Sequence, residues 1–492
     1  MKLENILKGT DAQVDERYHD LEINKIAYDS RKAEKNSMFI AISGYKTDGH
    51  RYIKAAIEKG AKAVVYEQDM NWDALQISDD VAIIKTKDSR KLLSKASDNF
   101  FGHPTKNLHI LGVTGTNGKT TITHLVYEIL RKLGHETALL GTISYKIADK
   151  EYDSSNTTPE SFELHRMFKE MIEKNIKWCS MEVSSHALAL KRVDSIDFDY
   201  CIFTNLTVDH LDFHGDLDDY FNVKKTLFYK SKEANIINSD DPYGQILLDE
   251  VQSLKARAIS YGIDKAADYR AIHLKMTSLG ATFDINCKGE IIEGFSIPIP
   301  GKFSIYNALA VIAFCHESGI EMEIIQGILK NVTPVPGRFE PVKNGKGYNV
   351  IVDYAHTPDS LEKVLHTIMD FKKGRILTVF GCGGDRDNSK RSMMGKIAGE
   401  LSDYCIITSD NPRSEDPLRI IKHVEEGIKH TNCPYEIIED RRRAIKRAID
   451  LYQKDDTLLI AGKGHETYQI IGDQTFHFDD REEAAKRIAE LG

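Results

Sequence analysis

Short apolar runs alternate with stretches of helical period along nearly the whole chain. Near its start, MFIAI (38–42), AVVY (63–66) and VAIIKT (81–86) are continuous and rich in β-branched residues. Runs of that kind predict short β-strands, with helical stretches such as Ile53 to Lys59 between them. FGHPTKNL (101–108) carries the glycine and proline of a connection. HILGVTG (109–115) then predicts a buried strand, and Leu125, Val126, Ile129, Leu130 and Leu133 fall on one face of the helix that follows. WCSMEV (178–183), YCIFTNL (200–206) and EANIINS (233–239) continue the alternation to about residue 330. Residues 256–300 carry alternating strand signals that suit an antiparallel insertion or edge. VTPVPGRFEPV (332–342) breaks the pattern with prolines. Beyond it, YNVIVDY, RILTVFG, DYCIITS and TLLIAGKG each precede a polar loop and a helical stretch. The expectation is an α/β protein of three domains with mostly parallel sheets, at 1–104, 105–334 and 335–492.

Composition narrows the classes. Of 492 residues, 41% are hydrophobic and 29% charged, which is ordinary for a globular chain. The net charge of −9 argues against a nucleic-acid binder. Arg441, Arg442 and Arg443 follow Asp440, a good N-cap, and precede Ala444, Ile445, Ala448 and Ile449 at helical spacing, so a solvated helix face is expected there. Seven scattered cysteines without a C-x-x-C pair suit reduced thiols and offer no zinc site. No window approaches the ~18 apolar residues of a membrane span, and the N-terminus lacks a signal-like run. The expected chain is soluble, cytoplasmic and monomeric, without membrane insertion.

GVTGTNGKTT (112–121) joins the predicted strand to its helix. Glycines let backbone amides close on phosphate oxygens at a helix N-terminus. Thr114, Gly115, Thr116, Asn117, Gly118, Lys119, Thr120 and Thr121 form the candidate nucleotide loop. In it Lys119 would reach the β- and γ-phosphates and the Thr120 hydroxyl would hold Mg²⁺. Val113 stands where the usual motif has its first glycine. A nucleotide site also needs a metal-holding acid at a nearby strand end. Glu182 fits, and Asp353 is a second strand-end acid in the last domain; either acid, like Ser184, also suits a helix cap. DHLDFHGDLDDYFNVKKTLF (209–228) gathers His210, His214 and several acids, which reads as a metal neighbourhood or as a solvated acidic loop. Lys224 and Lys225 follow Tyr220 by four and five residues.

The last domain sends three strand ends into polar loops: GCGGDRD with Arg386, DNPR with Asp410, Asn411, Pro412 and Arg413, and GKGHE with Gly462 and Glu466. In a parallel sheet such ends share one edge, where ligands bind. Two guanidinium forks beside two acids suit a zwitterion: arginine takes a carboxylate bidentately, and the acids take an ammonium. The prolines flanking Arg413 would hold it at a fixed reach.

These blocks occur in a familiar order. TGTNGKTT, EVSSHAL, TNLTVDHLDFHG, GKFSIYNALA, PGRFE and DYAHTPDSL resemble the Mur ligases of bacterial cell-wall synthesis over nearly the full length. YDSR (28–31), FIAISGYKTDGHRYI (39–53), NTTPE (156–160) and GCGGDRD (381–387) look like the branch that adds the third amino acid. The resemblance implies a UDP-binding N-terminal domain, a central P-loop ATPase and a C-terminal Rossmann-like domain. It implies that Ser30 contacts the uridine part and that Thr157, Thr158, Ser184 and Arg192 hold the muramoyl dipeptide. Lys224 matches the lysine that the family carbamylates. Glu182, Thr120 and His210 would complete the Mg²⁺ shell, while Asn307, Arg338, Asp353 and His356 line the nucleotide. Lys119, Glu182, His210 and Lys224 are the implied catalytic set.

The implied substrates are ATP, UDP-MurNAc-L-Ala-D-Glu and an amino acid. Meso-2,6-diaminopimelate carries an ammonium–carboxylate pair at each end, and L-lysine lacks the second carboxylate. A site built for a polar group rejects an analogue without it by up to ~10⁴–10⁵-fold. Arg413 therefore favours diaminopimelate, with L-lysine as the alternative.

Overall fold

A computed structural model describes residues 1–44, 47–75, 77–277 and 279–491. Tyr45 and Lys46 of the FIAISGYKTDGHRYI block lie outside the described residues. The chain divides into two compact units, one of residues 1–114, 133–201 and 223–233, the other of residues 115–132, 202–222 and 234–492.

The first unit opens with a four-stranded parallel sheet in the order Lys25–Ala27, Ser37–Ile40, Ala63–Tyr66, Ala82–Lys85. Its two faces are both covered, which is why the runs read as continuously apolar. Met38, Ile40, Val65 and Ile84 pack with Leu3, Leu92 and Leu93 on one face. Phe39 and Val64 point the other way, onto Ile53 and Ala56. Asp88 caps the helix Ser89–Phe100 by accepting from the Lys91 amide.

A second group of strands in this unit sets Trp178–Glu182 between His109–Thr114 and Thr137–Leu140, all parallel. Ser144–Ile147 and Lys150–Asp153 add antiparallel. The register pairs Val113 with Glu182, so the acid stands beside the strand end that feeds the glycine-rich loop.

In the second unit the helix Lys119–Lys132 buries Ile122, Leu125, Val126, Ile129 and Leu130. Residues 234–238 pair parallel with Arg257–Gly262. Tyr269–Thr277, Gly280–Cys287 and Glu290–Ile297 then form the antiparallel insertion that the alternation predicts. The helix Lys302–Glu317 is buried along most of its length. The chain ends in a six-stranded sheet ordered Glu340–Pro341, Asn349–Asp353, Thr457–Ala461, Ile376–Phe380, Tyr404–Ile407, Tyr435–Ile437. All but the first of these strands run parallel, so the three polar loops do leave from one edge.

One expectation is corrected. Asp440 does cap the helix Arg441–Leu451, but Arg441 is not on a solvated face. It is 1% exposed, forks onto Asp480 through Nε at 2.7 Å and Nη2 at 2.8 Å, and donates to the Ala461 carbonyl. Arg441 stands three and four residues before buried Ala444 and Ile445, which places it on the core stripe. Its carboxylate partner makes that burial tolerable. Arg442 and Arg443 are exposed as expected. The seven cysteines are free thiols. Among the described residues no helix is long and apolar enough to cross a membrane.

Candidate active site

The glycine-rich loop is held from below by the TNLT segment. The Thr116 and Asn117 amides donate to the Asn205 carbonyl and side chain at 2.8 and 3.0 Å. The Thr204 hydroxyl donates to the Asn117 carbonyl at 2.6 Å, and the Thr207 amide donates to the Thr116 hydroxyl. Lys119 curls its Nζ onto the Gly115 and Thr116 carbonyls at 2.9 and 2.8 Å. Gly118 has a φ of 89°, and a Cβ there would lie 2.6 Å from Asn307 Oδ1. A glycine is therefore required for Asn307 to approach the loop. Asn117 also donates to Asp359 at 2.6 Å, at the start of the helix Pro358–Phe371.

Arg338 reaches the same loop. Its Nη2 donates to the Thr120 hydroxyl at 3.1 Å, and its guanidinium lies 4.6 Å from the centre of the Tyr354 ring. Its Nε is buried without a hydrogen-bond partner among the described residues, which suits a cation reserved for a bound anion. Asp353 accepts from the Phe339 amide at 2.6 Å. Burial raises its pKa to about 6 against the pull of Arg338. Burial, then Lys390, pushes His356 down to about 4, so it is neutral near pH 7. His465 falls to about 3 through burial and then Arg338. Burial works against ionisation of Asp209, but His210, His356, Lys390 and Lys119 together hold its pKa below the usual value. His210 adopts a left-handed φ of 55°, with Nε2 at 3.4 Å from Asp209. Thr121, on the first turn of the helix, is half-buried.

In the first unit Glu182 is fully buried and accepts from the Thr142 amide and hydroxyl at 2.8 and 3.1 Å. Thr142 also meets the Thr157 hydroxyl at 3.1 Å. Thr158 is fully buried: its hydroxyl donates to the Glu182 carbonyl and accepts from the Ser184 amide. That hydroxyl braces the backbone, so the exposed chemistry of NTTPE lies with Thr157. Ser184 caps the helix Ser185–Ala189. Arg192 donates to the Thr158 carbonyl and pairs with Glu160 at 3.2 Å. Ser30 opens a short turn of 3₁₀ helix whose cap, Asp29, forks with Arg31. Of the two lysines after Tyr220, Lys224 is 1% exposed and Lys225 only half-buried.

At the C-terminal sheet edge the three loops are laced together. Gly384 donates to the Asn411 carbonyl at 2.9 Å, and Arg413 Nη1 donates to the Gly384 carbonyl at 2.8 Å. Arg413 has a φ of 52° and pairs through its backbone with Ile470 and Gly472 of the Tyr468–Ile471/Gln474–His477 hairpin. That pairing fixes the arginine in addition to the flanking prolines. Arg386 is exposed, with Nη1 on its neighbour's carbonyl. Asp410 is buried and approaches Gly462. Lys463, a residue that the loop composition did not single out, is fully buried and binds Glu466 at 3.0 Å and the Asn411 side chain at 3.2 Å. Asn411 donates to Glu466 in turn at 2.8 Å. Burial and then Asp410 raise the Glu466 pKa, and Lys463 offsets them. The one available signal was a lysine between two glycines at a strand end.

Among the described residues no group of three or more histidines, cysteines or acids could hold a metal by itself. Mg²⁺ at a nucleotide asks less: one or two carboxylates, with phosphate oxygens and waters completing the shell. A buried strand-end carboxylate and a threonine hydroxyl at the glycine-rich loop have the oxygen chemistry that this requires.

A phosphate loop on an α/β core, joined to a parallel sheet whose edge carries paired arginines and acids, defines an ATP-using ligase class. Three family models match in order: the Mur ligase family catalytic domain over residues 22–101, the Mur ligase middle domain over 113–315, and the Mur ligase glutamate ligase domain over 337–464. The chain belongs to the Mur ligase family. It is 47% identical over 491 residues to UDP-N-acetylmuramoyl-L-alanyl-D-glutamate--2,6-diaminopimelate ligase of Clostridioides difficile, covering 100% of both chains. The protein of the same name from Clostridium botulinum is 49% identical over 472 residues, 96% of each chain. A solved structure of a ligase of that name superposes with a TM-score of 0.71 at 30% identity, covering 100% of this chain and 99% of the other.

Proposed function

We propose that this chain joins meso-2,6-diaminopimelate to the D-glutamate γ-carboxylate of UDP-MurNAc-L-Ala-D-Glu, at the expense of ATP, in cytoplasmic synthesis of the cell-wall precursor. The observation that carries the reading is the Arg413 loop, laced to the Arg386 loop and seated beside Glu466 at one sheet edge. The family segments support domains at 1–104, 105–334 and 335–492. The enzyme works as a monomer.

A carboxylate must be activated before it forms an amide. A γ-carboxylate oxygen attacks the γ-phosphorus of ATP, the bond to the ADP oxygen breaks, and an acyl phosphate forms. The deprotonated amine of the incoming amino acid then attacks the acyl carbon. The tetrahedral adduct collapses, the C–O bond breaks and inorganic phosphate leaves. Both steps concentrate negative charge, and Lys119, the loop amides and Arg338 counter it. His356, kept neutral by burial, adds no further charge there. Asn307 and Asp353 order the nucleotide side of this site.

Mg²⁺, when bound, neutralises charge on the transferring phosphoryl group. Its proposed ligands are Thr120, Glu182, His210 and Lys224, the last as N6-carboxylysine. Lys224 is buried; an ammonium at the metal would repel the cation, and carbamylation inverts its charge. Ser30, Thr157, Ser184 and Arg192 hold the UDP-dipeptide, and Thr158 serves that site from behind, bracing its backbone. Arg386, Asp410, Asn411, Pro412, Arg413, Gly462 and Glu466 take the diamino acid. L-lysine would leave Arg413 without its carboxylate, which disfavours the lysine alternative.

Phosphate release from ATP tests the reading. It is expected only when both the UDP-dipeptide and a diamino acid are present. Release that ignores the amino acid would contradict it.

A further inference from the structure

Arg413 reads a carboxylate only if its loop is held, and the loop is held from behind by a buried residue outside the proposed contact set. Arg391, in the helix Ser389–Leu401, is fully buried. Its Nη2 and Nη1 donate to the two carboxylate oxygens of Glu415 at 2.8 and 3.0 Å, and Nη2 also reaches the Gly383 carbonyl at 3.3 Å. Glu415 lies two residues beyond Arg413. Its Oε1 also accepts from the Asp385 amide at 2.6 Å, and its own amide closes a turn onto the Pro412 carbonyl at 3.0 Å. Asp385, next to Arg386, returns the contact: it accepts from the Ser414 hydroxyl at 2.7 Å and the Ser414 amide at 3.2 Å.

One guanidinium therefore ties Gly383, on the Arg386 loop, to Glu415, on the Arg413 loop. The two loops approach so closely that a Cβ on Gly384 would collide with the Pro412 carbonyl. A forked arginine–carboxylate pair is rigid and directional, and removing Glu415 leaves the Arg391 guanidinium buried without its carboxylate. Arginine also supplies more fixed donors than lysine could.

Resting on the proposed diaminopimelate reading, we infer that Arg391 and Glu415 are positioning residues for amino-acid selection: together they set the spacing of Arg386 and Arg413 to the far carboxylate and thereby the preference for diaminopimelate over L-lysine. Neither touches the amino acid. Their effect passes through Arg413, so it falls on the affinity for diaminopimelate and spares ATP and the UDP-dipeptide.

The test compares kcat/KM for meso-diaminopimelate and L-lysine in wild type, Arg391→Met, Glu415→Gln, Arg413→Met and the Arg391→Met/Arg413→Met double variant. Glu415 is a quarter exposed, so its substitution keeps the test available if the Arg391 variant does not fold. The expected result is a fall of at least tenfold in the diaminopimelate-to-lysine ratio for Glu415→Gln and Arg391→Met. That fall appears as a raised KM for diaminopimelate, with the KM for ATP unchanged. In the Arg413→Met background, removing Arg391 is expected to change the ratio less than twofold, because the two act as one unit. A ratio within twofold of wild type in Glu415→Gln, or additive losses in the double variant, would overturn the inference. A wild-type enzyme that prefers lysine would instead overturn the reading on which the inference rests.

Discussion

Arg338 donates to the Thr120 hydroxyl at 3.1 Å while its guanidinium lies over the Tyr354 ring. The contact joins the segment that follows VTPVPG to the first turn of the glycine-rich helix, within one compact unit. Arg338→Met is expected to lower kcat/KM for ATP by roughly 10- to 100-fold, the ~1.5–3 kcal/mol of a hydrogen bond to a charged group. The KM for diaminopimelate is expected to stay within twofold. Steady-state kinetics with each substrate varied in turn makes the check, and an unchanged ATP dependence would remove Arg338 from the nucleotide site. Arg338→Lys is expected to rescue only in part, because an ammonium lacks the fixed fork of guanidinium donors.

Lys224 is buried on the helix Leu217–Lys225, whereas its neighbour Lys225 is partly open to solvent. Lys224→Ala is expected to lower ligation by roughly 10²- to 10³-fold, of the order seen when one charge-stabilising group is removed from an active site. A small added carboxylic acid is expected to restore part of the rate by standing in for the carbamate. Lys225→Ala is expected to stay near wild type. Full activity in Lys224→Ala would exclude the role.

His165 sits wholly inside the first unit, edge-on to Phe168 at 5.9 Å, with both ring nitrogens lacking a hydrogen-bond partner among the described residues. Burial pushes its pKa down to about 4, against Asp98. A histidine with a depressed folded-state pKa contributes stability that is present above the unfolded value near 6.5 and lost as pH falls toward about 4. Lowering the pH from about 7.5 to about 5 should therefore cost about 2 kcal/mol at this residue alone, since each pH unit below the unfolded value costs ~1.4 kcal/mol. His165→Leu is expected to remove that part of the acid sensitivity, read by urea denaturation at the two pH values. His356 and His465 act in the same direction in the other unit. Asp353, raised to about 6, has the opposite sign: its contribution is lost as pH rises through about 6. An unchanged pH dependence in His165→Leu would contradict this.

Much of the fold was legible because strands such as Ile376–Phe380 and Thr457–Ala461 are fully buried and their sequences are unbroken β-branched or aliphatic runs. The glycine-rich loop and the DNPR loop were legible for a different reason: their chemistry is concentrated in a few consecutive residues. The supports of those loops were not. Arg391 finds Glu415 twenty-four residues away, and Lys463 finds Asn411 at a separation of fifty-two. Neither pairing leaves a local pattern. Arg441 shows the reverse failure, since a basic triplet looks solvated until its register with Ala444 and Ile445 puts its first member on the core face. Thr158 lies beside Thr157 in the sequence, but its hydroxyl is committed to the Glu182 and Ser184 backbone.

In the proposed reading, the C-terminal sheet edge selects an amino acid with a second carboxylate. Ligation to UDP-MurNAc-L-Ala-D-Glu with meso-diaminopimelate and with L-lysine, measured as kcat/KM for each, tests it most directly. Diaminopimelate is expected to be favoured by at least ~10³-fold, short of the ~10⁴–10⁵-fold upper limit for a site built for a missing polar group, and Arg413→Met is expected to collapse most of that preference. A wild-type preference for L-lysine, or a preference for diaminopimelate that survives loss of Arg413, would contradict it.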